Sequence, residues 1–271
     1  MTHKIILALP IALCGLAFGA GGASATQFVT NGGFESSAST TSTAFFGAAT
    51  PATDWSSNGQ FVLYCTAAAG TTCDSPPIGG DGLAGPGNGH ANGLTSSPQG
   101  GAYMGFDSDP QFHGDFTQTI AGLTVGATYT LSFYMAGAQE VNGAEPTTTS
   151  ITATLGTESF TTPVIDTPTQ GFSPWNLYST TFTYAGGGNV LDFVATGGPG
   201  GEPPYALLDG VSLTSTTGAT PEASTWVMIV AGFAGLSLAA RAPQVESSPR
   251  LTERIALSRA PSTPRSAALR L

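Results

Sequence analysis

The chain has 271 residues, of which only 9% are charged and 37 are glycine, whereas about 25% of a typical soluble domain is charged. Its net charge is −10, and all seven Lys and Arg residues lie outside residues 26–220, which carry 14 carboxylates. A region without cations repels phosphate backbones and attracts divalent cations, so the charge excludes nucleic-acid binding. The composition is typical of exported β-proteins rather than of cytosolic enzymes.

The first 25 residues predict a secretory signal peptide. Lys4 supplies a positive start, residues 5–18 form an apolar stretch, and the small residues 23–25 (ASA) form a cleavage site. The mature chain therefore begins near Thr26.

Cleavage there removes Cys14 and leaves two cysteines, Cys65 and Cys73. In an exported protein, two cysteines eight positions apart predict a disulfide that closes a small loop. Metal binding by this pair is the alternative, which lacks further ligands of the same kind nearby.

Residues 26–215 predict a single β-rich domain. Short runs rich in β-branched and aromatic residues are bounded by Gly, Pro, Asn or Asp, and no stretch of helical periodicity separates them. This pattern favours an antiparallel sandwich. The predicted strands are 60–64, 102–106, 116–120, 128–136, 151–155, 159–164, 177–184, 190–194 and 206–214.

Several motifs recur in a fixed order along this domain. They are NGGFE at 31–35, Trp55, FTQTI at 116–120, LTVGATYTLSF at 123–133, Trp175 and LDGVSL at 208–213. In this order and spacing they resemble the galactose-binding-like jelly rolls of bacterial carbohydrate-binding modules. The resemblance implies an all-β, antiparallel jelly-roll sandwich. It also implies a structural Ca²⁺ held by Glu35 and Asp209, with backbone carbonyls completing the shell; two exposed carboxylates are the alternative.

Two further groups of residues are candidates for chemistry. Asp107, Asp109 and Asp115 lie with a histidine in one predicted loop, where they can bind a hard cation or act as an acid/base pair. Asp is also an ordinary loop-forming residue, which is the alternative reading. Tyr134, Gln139 and Glu140, at a strand end, combine an aromatic face with an amide and a carboxylate, as a sugar site requires.

The C-terminal region predicts a membrane-anchoring segment, since Pro221 and Glu222 precede an uncharged run at 226–240 that ends at Arg241. With Trp226, these residues resemble the PEP-CTERM sorting signal that exosortases recognise in Gram-negative bacteria. The resemblance implies a sorting segment at 216–241, an inner-membrane helix at 226–240 and an exosortase as partner. A plain anchor or a buried core helix is the alternative. Residues 242–271 predict a disordered basic tail.

The sequence thus predicts an exported, non-catalytic cell-surface or matrix protein that binds a glycan such as an exopolysaccharide. Two alternatives remain. One is a secreted polysaccharide-degrading enzyme that uses Asp107, Asp109 or Asp115. The other is a purely structural matrix component without a specific ligand.

Overall fold

The computed structural model describes residues 25–58, 61–67, 72–75 and 82–215. The predicted signal peptide, the sorting segment with Pro221, Glu222, Trp226 and Arg241, and the basic tail lie outside these residues. Within the described ranges, no helix has the length and apolar character needed to cross a membrane.

The domain is an all-β antiparallel jelly-roll sandwich of two main sheets. The seven-stranded sheet has the order β12-β8-β14-β6-β5-β2, with β1 paired to β14; the five-stranded sheet has the order β10-β9-β13-β7, with β11 paired to β9. Strands β3 and β4 form a separate pair. The strands are β1 (Thr26–Gln27), β2 (Thr43–Phe45), β3 (Ala48–Ala49), β4 (Ser57–Asn58), β5 (Val62–Cys65), β6 (Tyr103–Asp107), β7 (Asp115–Thr119), β8 (Thr128–Gln139), β9 (Thr147–Leu155), β10 (Glu158–Thr161), β11 (Ile165–Thr167), β12 (Phe172–Thr183), β13 (Val190–Gly198) and β14 (Pro204–Ser215).

The sequence prediction of an antiparallel sandwich is confirmed, and each of the nine predicted strands overlaps an observed one. Strand alternation explains the result, because side chains two residues apart share a face. In β8, Tyr129, Leu131 and Phe133 are buried between the sheets. Trp55 stacks on Phe116 there, with ring centroids 4.8 Å apart and nearly parallel planes.

A second apolar cluster covers one end of the outer face of the seven-stranded sheet. Leu63, Tyr103 and Leu207 point away from the main core and are buried by residues of the segments 72–75 and 82–94, including Leu83. The predicted disulfide between Cys65 and Cys73 is confirmed and joins this covering segment to β5. The opposite end of the same face is therefore the end that stays open.

The sandwich is self-contained between residues 26 and 215. Both apolar clusters consist of residues within these bounds, and β1 pairs with the end of β14, so that Thr26 lies opposite Ser215. The compact unit that contains them ends at Thr220. A fragment of residues 26–220 therefore keeps every contact among the described residues of the sandwich and is a suitable unit for experiments.

Candidate functional site

The open end of the seven-stranded sheet carries rows of hydroxyl groups. Cross-strand register places Ser132 of β8 beside Ser179 of β12 and Ser212 of β14, and Thr130 beside Thr181 and Thr214. The Thr130 and Thr181 hydroxyls lie 3.0 Å apart. This face is therefore a hydrophilic surface that can exchange hydrogen bonds with a polar ligand.

A groove of about 400 Å³ opens at the edge of these rows. Its lining includes the Tyr134 ring, the exposed Leu177 side chain, the amides of Gln27 and Gln99, and the hydroxyls of Ser132 and Ser212. The Gln27 amide donates to the Ser212 hydroxyl at 2.9 Å, which fixes the groove wall formed by β1 and β14.

An irregularity in β14 shapes the floor of the groove. The register shifts between Asp209 and Ser212, and Gly210 adopts φ of 61°, in the left-handed region that glycine tolerates best. A Cβ at Gly210 would press on the Gln99 side chain and lie 3.1 Å from the Tyr134 ring. Glycine at this position therefore lets the ring and the amide approach each other across the groove floor.

The lining of this groove contains no ionisable acid or base apart from the Tyr134 phenol. A second groove, of about 390 Å³, lies beside Thr30, Asp54 and Gln118, but its lining has a carboxylate and no aromatic ring. The first groove is thus the one that offers a sugar both an aromatic face and neutral hydrogen-bonding groups. Sequence reasoning singled out Tyr134 but missed Gln27, Gln99 and Leu177, which come from three distant parts of the chain.

The structure does not bring Tyr134, Gln139 and Glu140 into one site. Tyr134 and Gln139 are five residues apart in β8, so their side chains point to opposite faces of the strand. Gln139 is fully buried, where its amide donates to the Glu145 carbonyl and accepts the Gln170 N–H. The Glu140 backbone bridges to Leu83 beyond the end of the strand. Of the three residues, Tyr134 is the one that lines the groove.

Glu35 and Asp209 lie close together directly behind this groove. The NGGF turn begins with Asn31 at φ of 48°, and the Gly32 carbonyl accepts the Val211 N–H at 2.9 Å, which holds the turn against β14. A Cβ at Gly33 would lie 3.9 Å from Asp209 Oδ1 and 4.0 Å from Glu35 Cγ. Gly33 therefore approaches both acidic side chains without a side chain of its own.

The Asp209 carboxyl is incompletely paired. It is fully buried; Oδ1 accepts the Gly210 N–H at 2.6 Å, whereas Oδ2 has no hydrogen-bond partner among the described residues. Burial raises the pKa of Asp209 to about 7; hydrogen bonds from Ser97 and Gly210 lower it, and the charge of Glu35 raises it further. The Glu35 carboxylate accepts the Ala102 N–H at 2.9 Å.

These features fit a calcium ion. Two adjacent carboxylates, one of them with a buried oxygen lacking a partner, are stabilised by a divalent cation. Within the described residues, no three acidic, His or Cys side chains converge as a metal cluster. Any ion here would therefore draw its remaining oxygens from backbone carbonyls, hydroxyls or water, which Ca²⁺ accepts and Zn²⁺ does not favour.

In the Asp107–Asp115 loop, the Asp107 and Asp109 carboxylates accept hydrogen bonds from backbone N–H groups and so fix the conformation of the loop. Asp107 Oδ1 accepts the Asp109 N–H at 2.8 Å, and the Asp109 carboxylate accepts the N–H groups of Gln111 and Gly201. Asp107, Asp109 and Asp115 are all buried. Burial raises the pKa of Asp107 to about 7, opposed by the Asp109 N–H and reinforced by the charges of Asp109 and Glu140. This arrangement matches the loop-forming alternative for these residues.

The sequence matches no family model and no curated protein sequence. Among solved structures, TmCBM61 in complex with beta-1,4-galactotriose is 12% identical, with a TM-score of 0.34 over 69% of this chain and 97% of that chain. The CBM22-1 xylan-binding domain from Paenibacillus barcinonensis Xyn10C is 11% identical, with a TM-score of 0.34 over 73% of this chain and 97% of that chain.

A third similar structure is the enzymatically active domain of bacteriophage CBA120 tailspike protein 4. It is 13% identical, with a TM-score of 0.33 over 70% of this chain but only 21% of that chain. This chain thus spans about a fifth of the tailspike domain. Similarity at these levels transfers no ligand and no activity to this chain.

Proposed function

We propose that residues 26–215 form a non-catalytic glycan-binding domain that holds a neutral polysaccharide in the groove beside Tyr134. The observation that carries this proposal is the lining of the groove, which combines one aromatic ring with amide and hydroxyl groups and has no formal charge. Sugars present both apolar ring faces and hydroxyls, and this lining offers a partner for each.

The charge of the domain supports a neutral ligand rather than a uronate or a sulfated glycan. Residues 26–220 contain no Lys or Arg that could pair with an anionic sugar, and their carboxylates repel one. The candidate class of ligand is the exopolysaccharide of the producing cell. The contacts within the Asp107–Asp115 loop favour binding over hydrolysis, because the Asp107 and Asp109 carboxylates are engaged with backbone N–H groups.

The test is a glycan array followed by affinity measurement with residues 26–220. We expect a neutral glycan to bind, and Tyr134→Ala to weaken that binding about tenfold, since loss of an aromatic contact of about 1.4 kcal/mol changes Kd tenfold. Phe112→Ala is the matched control, because Phe112 is an aromatic residue, 51% accessible, that does not line the groove.

Three outcomes would contradict this proposal. Equal binding by the wild type and Tyr134→Ala would remove the groove from the site. Release of reducing ends that Asp109→Asn abolishes would favour the enzyme alternative. Failure of every neutral glycan to bind would favour a structural matrix component.

We also propose that Glu35 and Asp209 hold a structural Ca²⁺. The ion would neutralise two neighbouring carboxylates in a domain without cations and would join the turn after β1 to β14, near the two ends of the sandwich. It would also stiffen the wall of the groove, since Gly33 and Gly210 line the groove and adjoin these carboxylates.

The proposed cellular location is extracytoplasmic, with transient anchoring in the inner membrane through residues 226–240 and processing by an exosortase-type enzyme. The disulfide supports an oxidising compartment. Protease treatment of intact spheroplasts tests the topology: we expect residues 26–215 to be digested by chymotrypsin. Trypsin cannot be used, because this region contains no Lys or Arg. Protection from chymotrypsin in spheroplasts, but not after lysis, would contradict this location.

A further inference from the structure

The outermost strand of the seven-stranded sheet, β12, is long and uncharged. It has 12 residues (FSPWNLYSTTFT), six of them exposed, and among the described residues its only hydrogen-bonded strand neighbour in the sheet is β8. A strand at the edge of a sheet presents unpaired N–H and C=O groups to any chain that can align with it.

The hydrogen bonds at one end of β12 show which residues present these groups. The Tyr184 N–H donates to the Ala127 carbonyl at 2.9 Å, and the register continues without a shift from Thr183 opposite Thr128 to Asn176 opposite Met135. In an antiparallel ladder, hydrogen-bonded and non-hydrogen-bonded pairs alternate. The backbone groups of residues 178, 180 and 182 therefore face β8, whereas those of Leu177, Ser179, Thr181 and Thr183 face outward.

The other edges of the two sheets are short or protected. β2 has three residues, and β10 has four and begins with Glu158. β7 begins with Asp115, and Ser56 bridges to Thr117 on its outer side. Natural proteins limit edge pairing with short strands, charges and covering segments of this kind. From Asn176 to Thr183, β12 has none of these protections among the described residues.

The charge distribution indicates the partner. No charged residue occurs between 116 and 139, which includes β8, or between 167 and 191, which includes β12. The remainder of the domain is strongly acidic, so two copies repel each other at most approaches. At the β12 edge, by contrast, neither β12 nor its neighbour β8 carries a charge, and Glu158 of β10 is a carboxylate that lines a cleft with Thr180 and Phe182. A cationic partner would be attracted to the more acidic regions elsewhere.

We propose that β12 pairs antiparallel with β12 of a second copy of this chain. A twofold axis at Thr180 would set Leu177 opposite Thr183 and Ser179 opposite Thr181 of the partner copy, and would join the outward groups in about eight backbone hydrogen bonds. Serine and threonine hydroxyls would face each other across the pair, as those of Thr130 and Thr181 do within the sheet.

The contact is narrow, since eight residues of strand extend about 27 Å. Its area falls below the roughly 800 Å² per partner of a stable interface, so we expect a dimer with Kd near 100 µM rather than a permanent one. At the high local concentration of a surface or a matrix, such a dimer would be populated.

The test is sedimentation velocity of residues 26–220 from about 5 µM to about 500 µM, a range that brackets the expected Kd. We expect the wild type to change from monomer to dimer across this range. Ser179→Pro removes one outward N–H without removing a hydrogen bond to β8, because residue 179 faces away from β8, and proline is tolerated at an edge. We expect at least a tenfold higher Kd for this variant. Ser179→Ala, which keeps the N–H, is the matched control and should dimerise like the wild type.

Amide hydrogen exchange locates the contact. We expect the amides of Ser179 and Thr181 to exchange rapidly at low concentration and to gain protection as the dimer forms, with melting curves showing that Ser179→Pro remains folded. A monomer at every concentration would overturn the proposal, as would a dimer that Ser179→Pro leaves unchanged. Protection at low concentration in the full chain, but not in the fragment, would also overturn it, since residues 216–271 of the same chain would then cover the edge.

Discussion

Calcium should raise the melting temperature of residues 26–220 through Glu35 and Asp209. Binding stabilises the folded state by RT ln(1 + [L]/Kd), which is about 2.7 kcal/mol when calcium is at about 100 times its Kd. For a domain of this size, about 2–4 °C per kcal/mol gives a rise of roughly 5–10 °C between EDTA and millimolar calcium. Differential scanning calorimetry at pH 8 measures this shift.

Asp209→Asn should have opposite effects in the two buffers. The pKa of Asp209 is raised from 3.8 to about 7, so the metal-free fold loses stability as pH rises from about 4 to about 7, where the unfolded chain has already released this proton and the folded chain still holds it. At pH 8 this cost is at most about 4 kcal/mol, and asparagine does not incur it. In EDTA the variant should therefore melt above the wild type, while its calcium shift should be lost.

Two neighbouring glycines provide the sharpest control. Gly100 and Gly101 both adopt positive φ, 75° and 76°, so alanine at either position costs about 1–2 kcal/mol of backbone strain. A Cβ at Gly101 would collide with the Glu35 carboxylate, whereas a Cβ at Gly100 would meet nothing within 4 Å. Gly101→Ala should abolish the calcium shift, and Gly100→Ala should keep it.

The calcium site is refuted if the wild type melts at the same temperature in EDTA and in calcium. It is also refuted if Asp209→Asn and Gly101→Ala retain the full shift, because the ion would then bind elsewhere. Asp166→Asn, which removes an exposed carboxylate on β11, should leave the shift unchanged.

Two further predictions concern stability. Burial and the charge of Asp115 raise the pKa of Asp192 to about 6, so the wild type loses stability as pH rises from about 4 to about 6. Asp192→Asn should match the wild type at pH 4 and be about 1 kcal/mol more stable at pH 8 in EDTA, a value reduced for partial solvent screening. Urea titrations at both pH values measure this difference. Replacing Cys65 and Cys73 together by alanine should cost about 2.5 kcal/mol, because a short closed loop restrains the unfolded chain; an unchanged melting temperature would contradict this.

The β-sandwich was predictable because the alternation of apolar and polar side chains that specifies each long strand involves residues close together in sequence. Strand β8 alternates apolar and hydroxyl side chains so regularly that both its existence and its buried face follow from the sequence. The short strands β1 to β4 were not predictable, since two or three residues carry no periodic signal. The covering segment over Leu63 and Leu207 was also missed, because its burial depends on contacts between residues distant in sequence.

The candidate site was predictable only in part, for a related reason. Tyr134 could be singled out as an aromatic residue on the polar face of a strand, but the groove around it depends on Gln27, Gln99 and Leu177, which no spacing rule connects. Gln139 was grouped with Tyr134 by proximity in sequence, although strand alternation itself separates their side chains. The residues Glu35 and Asp209 came from the resemblance to known jelly rolls, and the structure brings them together across 174 positions of the chain.

Strand β12 links the two proposals, because Leu177 contributes its side chain to the groove and its backbone to the free edge. Pairing around an axis at Thr180 would continue the seven-stranded sheet into the second copy, so both grooves would open on the same face. The two Leu177 residues would then lie six residues apart along the paired strands, about 20 Å. A polymeric glycan could occupy both grooves at once, and its binding would favour the dimer by mass action. Ser179→Pro should therefore weaken binding of the polymer while leaving a short oligosaccharide unaffected, whereas Tyr134→Ala should weaken both.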